Sequence, residues 1–222
     1  MFSSIEVLLF DLDGTLVDSV PDLTTAVNLA LQPLGYAPYR EDQIRQWVGN
    51  GAEVLMGRAL VDDIAGHADP RQLAEVMPRF TEAYHANVCV DSQLFAGVYD
   101  GLSALVEAGY RLGCVTNKPV AFVPPILENL DIAPYFSAIV GGDSTEKKKP
   151  APDPLWRLAE LLGTTIDRCV MVGDSQHDVH AARAAGCPVV CVPYGYNHGN
   201  DIRTAGPDAV IGSLAELPTL LT

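Results

Sequence analysis

The sequence predicts a doubly wound α/β fold, a parallel sheet with helices on both faces, interrupted after its first strand by an all-helical insertion. Three observations predict it. Short apolar runs recur along the chain, helical patterns separate most of them, and the stretch from about 21 to 90 holds helical patterns only.

The first run, 7–10, is Val-Leu-Leu-Phe. It is apolar without alternation, as a strand buried on both faces should be. The insertion follows. Pro21 suits the first turn of a helix running to 34. Further helical patterns cover 41–48, 52–64 and 70–86. Strand and helix then alternate, with a helix at 101–108, a strand at 112–115 and a helix at 121–130. Pro124-Pro125 requires that last helix to start late or kink. Strands at 138–140, 169–172 and 189–192 are spaced by helices at 154–162 and 177–185. The implied division is a core of residues 1–16 and 93–222 and a helical insert of residues 17–92. An insert beside the C-terminal end of a strand is placed to act as a lid.

The chain has 222 residues, with 14 basic against 28 acidic, for a formal charge of −14. A surface this acidic repels nucleic acid and anionic lipid, so neither is an expected partner. It repels a phosphate ester too, so an enzyme acting on one must reverse the potential locally. The five cysteines are odd in number and form no C-x-x-C pair, which favours reduced thiols and a cytoplasmic protein. The N-terminal apolar stretch is short, lacks a basic flank and runs into Asp11, so neither a targeting signal nor a membrane span is expected. Monomer and dimer stay open.

Four short constellations carry chemistry. Asp11-Leu12-Asp13-Gly14-Thr15 follows the first strand. Two carboxylates leaving a strand end together repel unless a hard cation such as Mg²⁺ neutralises them, and they can then divide nucleophilic and acid/base work. A solvated turn is the plainer reading. Gly173-Asp174-Ser175-Gln176-His177-Asp178 follows another strand, and there Asp174 and Asp178 read either as metal-site carboxylates or as helix caps. Thr116-Asn117-Lys118 forms an anion site or an ordinary N-cap. In Lys147-Lys148-Lys149-Pro150, Pro150 restrains the chain around Lys149, which can balance the aspartates, while Lys147 and Lys148 read as solvated.

The order Asp-x-Asp-Gly-Thr, Thr-Asn, Lys-Pro, Gly-Asp-Ser-x-x-Asp resembles the four motifs of the haloacid dehalogenase superfamily over nearly the whole chain. The resemblance implies a Rossmann-like core with a helical cap. It implies Asp11 as nucleophile, Asp13 as general acid/base, and Thr116 and Lys149 on the phosphoryl group with Asn117 beside it. It also implies Mg²⁺ on the Asp11 carboxylate, the Asp13 carbonyl and Asp174, with Asp178 in support. A second aspartate at 13 favours phosphoryl transfer over dehalogenation. The absence of lysine before Arg111 disfavours a Schiff-base phosphonatase.

Trp47-Val48-Gly49-Asn50-Gly51-Ala52, Asp18-Ser19-Val20-Pro21-Asp22-Leu23 and Tyr194-Gly195-Tyr196-Asn197-His198-Gly199 resemble segments of bacterial phosphoglycolate phosphatases. The implied substrate is 2-phosphoglycolate, with a sugar or amino-sugar phosphatase or a phosphosugar mutase as alternatives. Gly49 and Gly51 let backbone N–H groups approach an anion, Asn50 offers a side-chain contact to a small carboxylate, and Arg45 offers a positive charge. His177, His180 and His198 are expected at the surface or in packing roles.

Overall fold

The computed structural model describes residue 2 and residues 4–221. Strand β1 (Val7–Phe10) leads through β2 (Val17–Asp18) into four helices, α1 (Val20–Leu31), α2 (Glu41–Trp47), α3 (Ala52–Val61) and α4 (Pro70–Ala86). The chain returns through β3 (Gln93–Leu94) to α5 (Val98–Glu107), β4 (Arg111–Val115), α6 (Val123–Asn129) and β5 (Phe136–Val140). It continues with α7 (Asp153–Leu161), β6 (Cys169–Gly173), α8 (Gln176–Ala185), β7 (Val189–Cys191), β8 (Ala209–Val210) and α9 (Leu217–Leu221).

The large sheet has the order β5-β4-β1-β6-β7-β8 and is parallel throughout. Its centre is the fully buried β1, in register with β4 on one side (Phe10 opposite Cys114) and β6 on the other (Phe10 opposite Val172). Strand alternation sends Leu8 and Phe10 to one face and Val7 and Leu9 to the other. Leu8 and Phe10 join Val170, Val172, Leu102, Leu105, Ile126 and Leu217 in one core layer. Val7 and Leu9 join Cys169, Met171, Leu155, Leu158, Val179 and Ala182 in the second. The insertion has its own core, in which α1 packs along α4. That core ends on Phe122 and Tyr196, which belong to loops of the sheet.

The chain visits β4 and β5 on one side of β1 and then crosses to β6, β7 and β8 on the other. The switch point lies at the C-terminal end of β1, where the loops after β1, β4 and β6 converge and ligands of such folds bind. The tandem prolines are accommodated as expected: a single 3₁₀ turn (Val120–Phe122) precedes α6, which begins at Val123 and holds Pro124 and Pro125 in its first turn. The short strands β2, β3 and β8 and the helix α9 are additional to the predicted elements. No helix among the described residues is long and apolar enough to cross a membrane.

The chain's exit to and return from the helices are tied together by β2 and β3, which pair antiparallel through Val17–Leu94 and Asp18–Gln93. Beside them Asp22, buried in α1, accepts from the backbone N–H groups of Val90 (3.0 Å), Asp91 (2.8 Å) and Ser92 (3.0 Å) and from the Ser92 hydroxyl (2.5 Å). One carboxylate thus satisfies the donors of the whole returning segment. Asp22→Ala should therefore lower unfolding free energy by about 2–4 kcal/mol, through orphaned amides. Urea denaturation would measure this, and a loss below about 1 kcal/mol would mean that water satisfies those donors instead.

Candidate active site

Asp11 follows β1 directly, and its backbone N–H still bonds to Val172 of β6. The chain then turns sharply. The Leu12 carbonyl accepts from Thr15, Leu16 and Val17, and Gly14 adopts φ +89°, a conformation that suits glycine. This turn brings both Asp11 and Asp13 to the wall of one cleft. Their surroundings differ. Asp11 Oδ1 accepts from the Leu12 N–H (2.8 Å) and pairs with Lys149 Nζ (2.9 Å), while no described residue donates to Oδ2. Asp13 has both oxygens engaged, Oδ1 by the Ser19 hydroxyl (2.5 Å) and Oδ2 by Lys118 Nζ (3.0 Å).

Asp174 lies at the end of β6 with its oxygens held by the Thr15 hydroxyl (2.5 Å) and the Tyr196 N–H (2.6 Å). Gly14 and Gly195 press against it from two sides, and a Cβ on either would run into the Asp174 carboxylate. Asp178, fully buried, accepts from Lys149 Nζ (2.7 Å), from the Ser175 N–H (3.0 Å) and hydroxyl (2.8 Å), and from the Asp174 N–H (3.2 Å). Ser175 and Asp178 form the capping box of α8, so the capping and charge-cluster readings of this motif both hold. Lys149, whose peptide bond to Pro150 is cis, adds a third bond to the Val115 carbonyl (2.9 Å). All three of its ammonium donors have partners.

Asp11, Asp174 and Asp178 offer oxygens within 4.8 Å of one another. Burial drives the Asp11 carboxyl up to about 7 against the pull of Lys149, with the Asp178 charge adding to the rise. Burial and then the Asp178 and Asp11 charges push Asp174 well above the usual carboxylate range. Burial would raise Asp178 also, but Lys149 and the Ser175 bonds hold it below its ordinary value. Lys149 pairs with Asp11 and Asp178 alone, so three carboxylates stand against one ammonium, and a cation would relieve their repulsion. Its donors are all oxygen, which suits a hard divalent cation. Asp178 is committed to four hydrogen bonds, leaving Asp11 and Asp174 as the carboxylates best able to ligate.

Thr116 and Asn117 follow β4 and line the same cleft. The Thr116 hydroxyl accepts from the Lys118 N–H (3.2 Å). Asn117 Nδ2 donates to the carbonyls of Gly49 and Lys149 (3.0 Å each), joining the insertion to the lysine loop. Gly49 and Gly51 also line the cleft, at φ +118° and +92°. Asn50 does not. Its amide nitrogen meets His177 Nε2 (2.9 Å) and its oxygen accepts from Arg58 (3.0 Å), so its side chain spans insertion and core away from the cleft. Arg45 is likewise turned aside, paired with Asp18 (3.0 Å) and lying over the Tyr196 ring. His177 and His198 sit at this same junction, where His198 Nδ1 meets the Gln46 carbonyl (2.7 Å). Lys118, Ser19, Thr15, Tyr196 and Gly195 had no individual role in the sequence reading. All lie in motifs quoted there, but their partners are distant in sequence.

The chain matches the family model of haloacid dehalogenase-like hydrolases over residues 8–192. It is 46% identical to a phosphoglycolate phosphatase of Nitrosococcus oceani, covering 100% of this chain and 99% of that protein. It is 43% identical to a phosphoglycolate phosphatase of Escherichia coli K12, over 97% of this chain and 92% of that one. Among solved structures, a predicted phosphoglycolate phosphatase from Haemophilus somnus superposes with TM-score 0.92 at 36% identity, each chain covered fully. CbbY from Rhodobacter sphaeroides in complex with phosphate superposes with TM-score 0.79 at 27% identity, covering 96% of both chains.

The packing of Gly195 against Asp174 has a measurable consequence. Gly195→Ala should fold but displace the carboxylate, weakening the affinity of the cluster for a divalent cation about 10- to 100-fold, the usual effect of disturbing a ligand's support. Calorimetric Mg²⁺ titration would check this. Unchanged affinity would mean that Asp174 is not a ligand or that the loop yields freely.

Proposed function

This chain belongs to the haloacid dehalogenase-like hydrolase family, and we propose that it hydrolyses 2-phosphoglycolate to glycolate and inorganic phosphate. The observation that carries the chemistry is the unequal treatment of two neighbouring carboxylates. Asp11 keeps one oxygen without a hydrogen-bond donor at the cleft wall, whereas Asp13 has both oxygens held. The first arrangement suits a nucleophile, the second a proton carrier of fixed position.

In this reading Asp11 Oδ2 attacks phosphorus in line. The bond between phosphorus and the glycolate oxygen breaks, and that oxygen takes a proton from Asp13. Asp13 then removes a proton from water, whose oxygen attacks the same phosphorus. The Asp11–phosphorus bond breaks, and the carboxylate is restored. Lys149 and Thr116 hold the phosphoryl oxygens and Asn117 fixes the loop between them. Asp11, the Asp13 carbonyl and Asp174 would hold Mg²⁺, which would supply charge neutralisation at the phosphoryl group. Asp178 keeps Lys149 in place. Residues 17–92 act as a cap over a core of 1–16 and 93–222.

The substrate assignment draws on the relatives' names and on the shape of the cleft. The cleft is small, about 40 Å³, and is walled largely by Leu23, Val48, Leu55, Phe80 and Phe122. A sugar phosphate calls for side chains that match hydroxyls, and apolar walls do not provide them. The five thiols are free, in keeping with a cytoplasmic setting.

Two measurements test this reading. Asp11→Asn should lower turnover by at least about 1,000-fold with the fold intact, since an amide cannot form the acyl phosphate. Beryllofluoride should bind the wild-type protein and not the variant. Substantial activity in purified Asp11→Asn would rule out the covalent route. In a phosphate-release screen with Mg²⁺, 2-phosphoglycolate should show the highest kcat/KM among small phosphomonoesters. A hexose phosphate hydrolysed better would overturn the substrate and leave the phosphatase standing.

A further inference from the structure

We infer that the carboxylate of the substrate is held by Lys118 and Tyr84, a pair formed between the loop after β4 and helix α4. This rests on phosphoglycolate as substrate and names the groups that read it.

The first argument is distance from the leaving oxygen. In phosphoglycolate only one carbon separates that oxygen from the carboxylate carbon. If Asp13 protonates the leaving oxygen, the carboxylate must settle close to Asp13. Lys118 Nζ lies 3.0 Å from Asp13 Oδ2. A cation is thus present where the second negative charge of the substrate must fall.

The second is elimination by prior commitment. Lys118 is the one cation among the described residues that line the cleft. Lys149 lies with Asp11 and Asp178, at the phosphoryl end of the proposed reaction. Arg45 is paired with Asp18, and Arg58 is bound to Asn50 and the Trp47 carbonyl. Lys118, in contrast, has one carboxylate partner for three ammonium donors. Asn50, the side chain that local chemistry suggested, is held by His177 and Arg58.

The third is a hydroxyl proton without an acceptor. Tyr84 lines the cleft and is buried, and its hydroxyl finds no acceptor among the described residues. A buried hydroxyl without an acceptor is costly unless a ligand supplies one. The Lys118 ammonium sits 4.8 Å from the centroid of the Tyr84 ring, which helps to hold it desolvated. A carboxylate can accept from both groups at once. Gly49 and Gly51 line the same cleft, which is small, about 40 Å³. The subsite therefore selects one negative charge on a short stem.

The competing cation is Lys148, whose ammonium approaches Gly51 from the side of the lysine loop. The test compares 2-phosphoglycolate with its neutral amide, 2-phosphoglycolamide, as substrates. Wild type should prefer the acid. Lys118→Met should narrow the acid-to-amide ratio of kcat/KM by about 10- to 100-fold, the range of a charge-assisted hydrogen bond. Tyr84→Phe should narrow it by several-fold and serves if Lys118→Met folds poorly. Lys148→Gln should leave the ratio unchanged. Loss of Asp13 positioning alone would depress both substrates equally, so the ratio isolates the carboxylate. Binding of 3-phosphonopropionate against propylphosphonate, by calorimetry, should lose its selectivity in the same variants. A wild-type ratio retained in both Lys118→Met and Tyr84→Phe, or narrowed in Lys148→Gln, overturns this assignment alone. A wild-type enzyme indifferent to acid and amide overturns the substrate assignment, and this subsite falls with it.

Discussion

The catalytic end of the molecule depends on a single buried ammonium. Lys149 Nζ binds the last carbonyl of β4, the Asp11 carboxylate after β1 and the Asp178 carboxylate of α8. Those groups come from three elements that only the switched strand order brings together. Without that cation, the Asp11 and Asp178 carboxylates would face each other unpaired in a low-dielectric site. The cation costs desolvation of its own, and burial opposes its charge. The two flanking carboxylates outweigh that opposition and hold the lysine protonated. The arrangement is therefore mutual: each ion is buried only because the others are.

Lys118 imposes a second, separate division. It pairs with Asp13 as Lys149 pairs with Asp11. In the proposed reaction a chain with formal charge −14 thus sets one buried cation at each end of the substrate, each paired with carboxylates. Screening by the protein's own acids keeps the cleft from attracting phosphate groups at large.

Much of this end was legible because acidic and hydroxyl residues stood directly after apolar runs. Asp11, Asp174 and Thr116 each follow a strand whose apolar pattern marks its end. Asp178 and Lys149 needed motif order as well, since each acts through the other. The rest depended on partners that spacing does not reveal. Lys118 stood in a motif after a strand, but its partners Asp13 and Tyr84 lie far off in sequence. Asn50 had fitting chemistry, but His177 and Arg58 claim its side chain. Gly195 carries no individual signature in the sequence, because its constraint is the bulk of Asp174. The strands β2, β3 and β8 span two residues each, too short for any period to register.

The small ribbon of β2 and β3 bears on how such a chain can be rebuilt. Val17–Leu94 and Asp18–Gln93 hold the two ends of the helical excursion one strand spacing apart, about 5 Å. The ribbon therefore fixes where the excursion leaves and rejoins the sheet domain, while Asn117–Gly49, Asn50–His177 and His198–Gln46 join its interior to the core. Any folded unit whose own termini meet at that separation satisfies the same anchorage. Grafting or lineage divergence can thus exchange what closes over the cleft while leaving the acid cluster beneath it undisturbed.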